Sequence, residues 1–480
     1  MTDLKRSDGR PSLDPENWEE LRSLGHRMLD DTLDDIADIR KRPVWQPIPD
    51  DVRAQFHEPL PQEPGDLGAA YDEYTRSVVP YAAGNTHPAF MGWVQGGGTA
   101  VGMLAEMLAG GLNANLGGRD HMPVEVERQI VEWVRRIFDF PEGASGLFVT
   151  GSSLANFIAV LVSRTAACGT SVRKDGLGAA GSKLRAYASA AAHRCIPLAM
   201  DMAGLGSDAV RPIPVDGEGR MDMAKLAEAV ARDRSAGLTP FLVVGTAGTV
   251  DTGSIDDLTA IADFCAAEKL RFHIDGAFGA LAVLSPSLKP LVKGIERADS
   301  IAFDFHKWGQ VPYDAGFVLV RDGRLHRDTF ASPAAYLRTQ ARGLAAGAPW
   351  FSDYGPDLSR GFRALKTWFT LKTFGLKRIG RAIEHSCELA RYLEDRVRAE
   401  PQLELLAPAR LNIVCFRYRA SDVVNAQIVV DLHETGIAAP STTTLDGKLA
   451  IRAAFVNHRT ERRDVDALVE GVLKRGAAAE

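Results

Sequence analysis

With 480 residues, 45% hydrophobic and 25% charged, the chain has room for two or three domains and the composition of an ordinary globular protein. Its net charge of −6, with bases scattered among acids, offers no footprint for nucleic acid and no polybasic patch for a membrane. No apolar run approaches a bilayer span, the first residues lack a secretory signal, and Cys168, Cys195, Cys265, Cys387 and Cys415 form no CxxC pair, so a cytoplasmic chain with reduced thiols and no metal site is expected.

Residues 1–85 read as a helical, polar arm. Leu21, Leu24, Met28, Leu29, Leu33, Ile36 and Ile39 recur at helical spacing between Asn17 and Ile39. The proline-rich stretch from Pro43 to Pro64 then reads as extended chain. Such an arm buries little surface alone, so it is expected to pack on another domain or another subunit.

From 86 to 375 short apolar runs alternate with amphipathic segments. Gly146–Thr150, Phe241–Thr246, Arg271–Asp275, Ser300–Asp304 and Gly316–Val320 are strand candidates, and Leu154–Arg164 a helix. This alternation implies an α/β domain whose mostly parallel sheet carries helices on both faces. Ligands of such sheets bind beyond the strands' carboxyl ends. A long helix from Phe362 to about Val397 leads into a smaller α/β domain over 376–480, with strands at Leu411–Arg417 and Leu449–Phe455.

The polar groups with chemical potential cluster at those strand ends. Lys307, in Phe305-His-Lys-Trp-Gly309, sits among apolar neighbours that would favour its neutral amine, the form that attacks an aldehyde. Taken alone it reads more readily as a surface lysine beside a core tryptophan. Asp275, closing Phe272-His-Ile-Asp, can hold a proton on a pyridinium nitrogen, or simply cap a turn. One strand-helix-strand step separates the two, enough to bring both to one sheet edge. Thr150-Gly-Ser-Ser153 before a helix offers backbone N–H groups and hydroxyls to a phosphate, and equally an ordinary N-cap. His193 is a candidate to stack on a ring, and Thr246 to hydrogen-bond a phenolic oxygen or a carboxylate.

Taken in order, these segments resemble the group II pyridoxal-5'-phosphate (PLP) dependent amino-acid decarboxylases, which include aromatic-L-amino-acid, histidine and glutamate decarboxylases. The resemblance runs through His87-Pro-Ala-Phe-Met-Gly-Trp93, Thr150-Gly-Ser-Ser-Leu-Ala-Asn156, Ala186–His193, Gly245–Gly253, His273-Ile-Asp-Gly-Ala277, Asp304-Phe-His-Lys-Trp308, Leu358–Lys366 and Arg452–Thr460. It implies fold type I, with a seven-stranded sheet, and a homodimer with active sites near the subunit interface. It implies Lys307 as the Schiff-base lysine, Asp275 on the pyridine nitrogen and His193 on the ring face. Ser152, Ser153 and His306 would contact the phosphate, with Thr246 and Ala277 lining the ring.

In the family's decarboxylases a tyrosine on a mobile loop returns a proton to the substrate carbon. Tyr354 is the candidate by position, and Tyr336 matches a different family tyrosine before the loop. Trp93, Val94 and Gln95 are expected at the substrate pocket, and Val94-Gln95-Gly96 stands where the aromatic decarboxylases carry a Phe-Pro-Thr segment. Leu154 replaces the family's usual glutamate after the phosphate-loop serines. The expected reaction is decarboxylation of an L-amino acid, aromatic by default. The rivals are another PLP-dependent carbon–carbon lyase, an aldehyde synthase, or a PLP-binding protein without catalysis.

Overall fold

The computed structural model describes residues 12–332 and 339–479. Among these described residues, twelve strands fall into two sheets. The larger is built from β2 (Ser145–Val149), β3 (Leu184–Ser189), β4 (Val210–Ile213), β5 (Thr239–Thr246), β6 (Arg271–Asp275), β7 (Ser300–Asp304) and β8 (Gly316–Val320). Their order is β2-β8-β7-β6-β5-β3-β4, and every pairing is parallel except the two made by β8. The strands are Val-, Ile- and Phe-rich because apolar layers cover both faces. Phe303, Phe305 and Phe317 belong to one layer; Ala302, Val318 and Val320 belong to the other, against the helix Ser152–Cys168.

The second sheet combines a two-residue strand, β1 (Phe90–Met91), with β9 (Leu403–Arg410), β10 (Ile413–Tyr418), β11 (Ala439–Leu445) and β12 (Lys448–Ala454), in the order β1-β11-β12-β10-β9. β1 therefore lies in the smaller sheet, although its residues precede the large sheet in sequence. A 37-residue helix, Arg363–Ala399, joins the two layers and kinks at Gly375, whose φ of 66° is open to glycine at little cost.

The amino-terminal helix runs over Trp18–Ala37, with Asn17 Oδ1 accepting from the Glu19 and Glu20 N–H groups. None of its residues is buried, and it meets the rest of the chain through polar contacts such as Arg27–Asp72 and Tyr71–Asp31. The proline-rich stretch is not wholly extended: Asp50–Gln55 forms a short helix. Among the described residues no helix is long and apolar enough to cross a membrane.

Candidate active site

β7 ends at Asp304, and the chain turns at once through His306, Lys307 and the fully buried Trp308. The turn is gripped from three sides. His306 Nδ1 accepts from the Ala315 N–H at 3.0 Å, Trp308 stands edge-on to Phe278, and Gln310 Nε2 donates to the Val456 carbonyl just after β12. Lys307 is thus a partly exposed amine on a rigid mount.

Register sets the second group beside it. Thr246, Asp275 and Ala302 are aligned partners across β5, β6 and β7, so their side chains share one face, and Asp304 lies two residues further along the same face. Asp275 is buried and accepts from the Ala277 N–H at 3.2 Å and from the Cys195 thiol at 3.6 Å. No cation pairs with it among the described residues. His193 feels the charges of both Asp275 and Lys307, and burial is the larger influence, pushing its pKa down so that the ring is neutral. Its Nδ1 accepts from the Cys195 N–H, which leaves the ring proton on Nε2.

The expected phosphate cradle holds a residue to which the sequence reading gave no role. Ser152 sits at the start of the helix Ser152–Cys168, but its N–H and its hydroxyl both donate to Asp304, at 2.6 and 2.8 Å. Lys307 Nζ also pairs with Asp304, at 2.8 Å, and His306 Nε2 lies 3.7 Å away. Burial pushes the His306 pKa down to about 4, so at neutral pH that ring brings no charge. Ser153, in contrast, is exposed. Asp304 is 1% exposed, and a buried strand-end carboxylate directly before His-Lys was the signal that could have marked it.

Trp93, Val94 and Gln95 run up to the lysine turn. A side chain on the next residue, Gly96, would put its Cβ 2.3 Å from the His306 carbonyl oxygen and 2.6 Å from that of Lys307. Trp93 is exposed at a φ of 50°, pinned by its N–H to Ser441 Oγ and by its carbonyl to Arg452. Val94 instead belongs to the main core. Ala277 is half-buried beside Asp275.

Tyr354 does not join this cluster. Its ring stands 5.1 Å from His326, which bonds Ser145 at the start of β2, the sheet edge opposite Lys307. A strand of that length separates the two edges by roughly 13 Å. The short turn Phe351–Asp353 and the apolar cluster around Leu147 hold Tyr354 there, so a loop proton donor at this position within the same subunit is corrected. Tyr336 lies outside the described residues.

An amine, a buried carboxylate and a neutral imidazole thus stand at one sheet edge, with a helix start alongside. The model described as the "Pyridoxal-dependent decarboxylase conserved domain" matches residues 49–419. The chain belongs to this family of PLP-dependent carboxy-lyases. It is 31% identical over 478 residues to an aromatic-L-amino-acid decarboxylase of Bacillus atrophaeus, covering 96% of each chain. It is 27% identical to a phenylacetaldehyde synthase of Arabidopsis thaliana, over 94% of this chain and 95% of the relative. The crystal structure of Oryza sativa TDC with PLP and tryptamine superposes with a TM-score of 0.89 at 25% identity, over 98% of this chain and all of the other.

The decarboxylase's own residues fit the cofactor. Thr246 Oγ1 is buried and has no hydrogen-bond partner among the described residues, which is costly unless something else meets it. Asp275 stands in the same row, a buried carboxylate awaiting a cation.

Proposed function

We propose that this decarboxylase converts an L-amino acid to the amine and carbon dioxide, with PLP held by Lys307. The carrying observation is that Asp275 closes β6 while Lys307 stands in the turn just after the adjacent parallel strand β7, with His193 within electrostatic reach of both. When bound, the cofactor supplies an electron sink for the pair left on the α-carbon as carbon dioxide departs. Asp275 would hold a proton on the pyridine nitrogen, and the neutral His193 ring would lie on the cofactor's face. Thr246 Oγ1 and Ala277 would line the ring. Ser152, Ser153 and His306 would hold the phosphate, for which Ser152 and Lys307 must both loosen their grip on Asp304.

Trp93, Val94 and Gln95 would border the substrate, with Trp93 the one large exposed side chain among them. An aromatic amino acid is the favoured substrate, in line with the relatives named above. We further read the protein as a cytoplasmic homodimer: the arm helix buries no residue of its own, and a groove of about 960 Å³ lies between the arm and the segment Gly96–Thr99.

The test is the visible absorption of the purified protein before and after borohydride, followed by a screen of amino acids for carbon dioxide release. A reducible band that labels Lys307, with carbon dioxide from one amino acid, is expected. A protein that stays colourless after PLP is added would overturn the reading. An aldehyde-forming reaction is a second reading, favoured by the position of Tyr354 away from Lys307. Measuring aldehyde and peroxide alongside amine separates the two.

A further inference from the structure

Behind Asp275 a line of buried polar groups runs through the sheet face into the helix Ser152–Cys168. Ser300 Oγ lies 2.9 Å from His273 Nδ1, and His273 Nε2 lies 2.7 Å from Asn156 Oδ1. Asn156 Nδ2 donates to Cys195 Sγ at 3.3 Å, and Cys195 Sγ lies 3.6 Å from Asp275 Oδ2. All five residues are buried.

The direction of every bond follows from the chemistry of the ends. Burial holds His273 neutral, with its pKa pushed down to about 3, so only one ring nitrogen carries a proton. An amide oxygen can only accept, so that proton is on Nε2, and Nδ1 accepts from the Ser300 hydroxyl. At the other end of the amide, Asn156 Nδ2 occupies a sulfur lone pair. The thiol's own proton is then left for Asp275. Burial and the Asp275 charge both raise the Cys195 pKa, which keeps that proton in place.

We infer that Cys195 is a positioning residue for the reaction: its thiol, aimed by Asn156, His273 and Ser300, orients the Asp275 carboxylate toward the pyridine nitrogen. The inference rests on the proposed pairing of Asp275 with the cofactor. Among the described residues the two donors on the Asp275 carboxylate are a backbone N–H at 3.2 Å, at the long end for such a bond, and a thiol at 3.6 Å, an intrinsically weak donor. They fix the carboxylate's rotation while withdrawing little of its charge, which a bound pyridinium requires. Unpartnered Thr246 Oγ1, in the same row, marks where the ligand would stand.

The experiment is a double-mutant cycle of Cys195→Ala and Asp275→Asn in the full chain, read by the PLP dissociation constant and by the pyridine signal of ¹⁵N-labelled PLP. Cys195→Ala is expected to weaken PLP about five-fold and to shift the ¹⁵N signal toward unprotonated nitrogen. Cys195→Ser should restore both, and Cys195→Ala should have no effect in the Asp275→Asn background. Cys195→Val, which fills the volume without a donor, takes the place of alanine if that variant does not fold. Additive losses, or an unchanged ¹⁵N signal, would overturn the role of Cys195 alone. Wild-type PLP affinity in Asp275→Asn would instead overturn the pairing on which it rests.

Discussion

Asp304 accepts both Ser152 donors and pairs with Lys307, so the cofactor's phosphate must share its cradle with a carboxylate. Two like charges about 5 Å apart at a partly buried site repel by a few kcal/mol. Removing the charge in Asp304→Asn is expected to tighten PLP binding roughly ten-fold at neutral pH, as measured by cofactor titration. Weaker binding would mean that its hold on Ser152 matters more than its charge. Tyr354 makes the opposite case, a residue whose type suits chemistry but whose place does not. Its pKa is raised by burial first, among His326, Phe330 and Phe351. Tyr354→Phe should keep turnover within about three-fold, since it removes only an oxygen from a packed ring. A hundred-fold loss would show that the residue reaches a reacting carbon, in its own subunit or a partner's.

The elements that carry the site were the legible ones. β6, β7 and β8 occupy the bounds expected of them, because each is a short segment with apolar residues at its centre and is buried in the sheet. Lys307 and Asp275 could therefore be placed at one edge from spacing alone. Less legible were strands whose residues do not look like strand residues. β11 opens on Ala439-Pro440-Ser441, β9 contains Pro408, and β4 is an edge strand that tolerates Pro212. β1 is two residues long and exists only through its pairing with β11, a partner more than 300 positions away. The link between Cys195, Asn156 and His273 was equally hidden, since no spacing rule joins three separate elements. Gly96 shows how tightly those elements meet. Its substitution by alanine would press a methyl onto two backbone oxygens of the lysine turn, and should cost roughly 2–4 kcal/mol in urea unfolding while weakening the cofactor band.

For the whole molecule, several buried titratable groups set the response to acid. His273 and His326 have pKa values pushed down to about 3, and His306 to about 4, in each case by burial first. The unfolded chain protonates these rings near pH 6.5, before the folded chain does. Their stabilising contribution is thus complete above about pH 6.5 and is lost as pH falls through the folded values. Asp256 works the other way: burial raises it to about 6, so the folded state takes up its proton first as pH falls. His87, His193 and His458 are pushed down by burial as well, so the protons favouring the unfolded chain outnumber the one on Asp256 and stability falls as pH drops from about 6 to 4. The midpoint of urea unfolding should fall steeply across that window, and a flat profile would contradict the buried, neutral state of these rings.

The insertion of antiparallel β8 between β2 and β7 has a consequence for the order of assembly. Ser152 and Asp304 meet across 152 positions of chain, and β2 reaches β7 only through a strand made later than both. A polypeptide emerging in sequence order can build its helices early, yet has no cofactor cradle until β8 has threaded into place. Such distant pairings are slow to form. During refolding from urea, far-ultraviolet ellipticity should recover well before PLP is recaptured, and a chain ending before Gly316 should keep helices but bind no PLP. The coenzyme would then serve as a timer, marking the last step by which the large sheet closes.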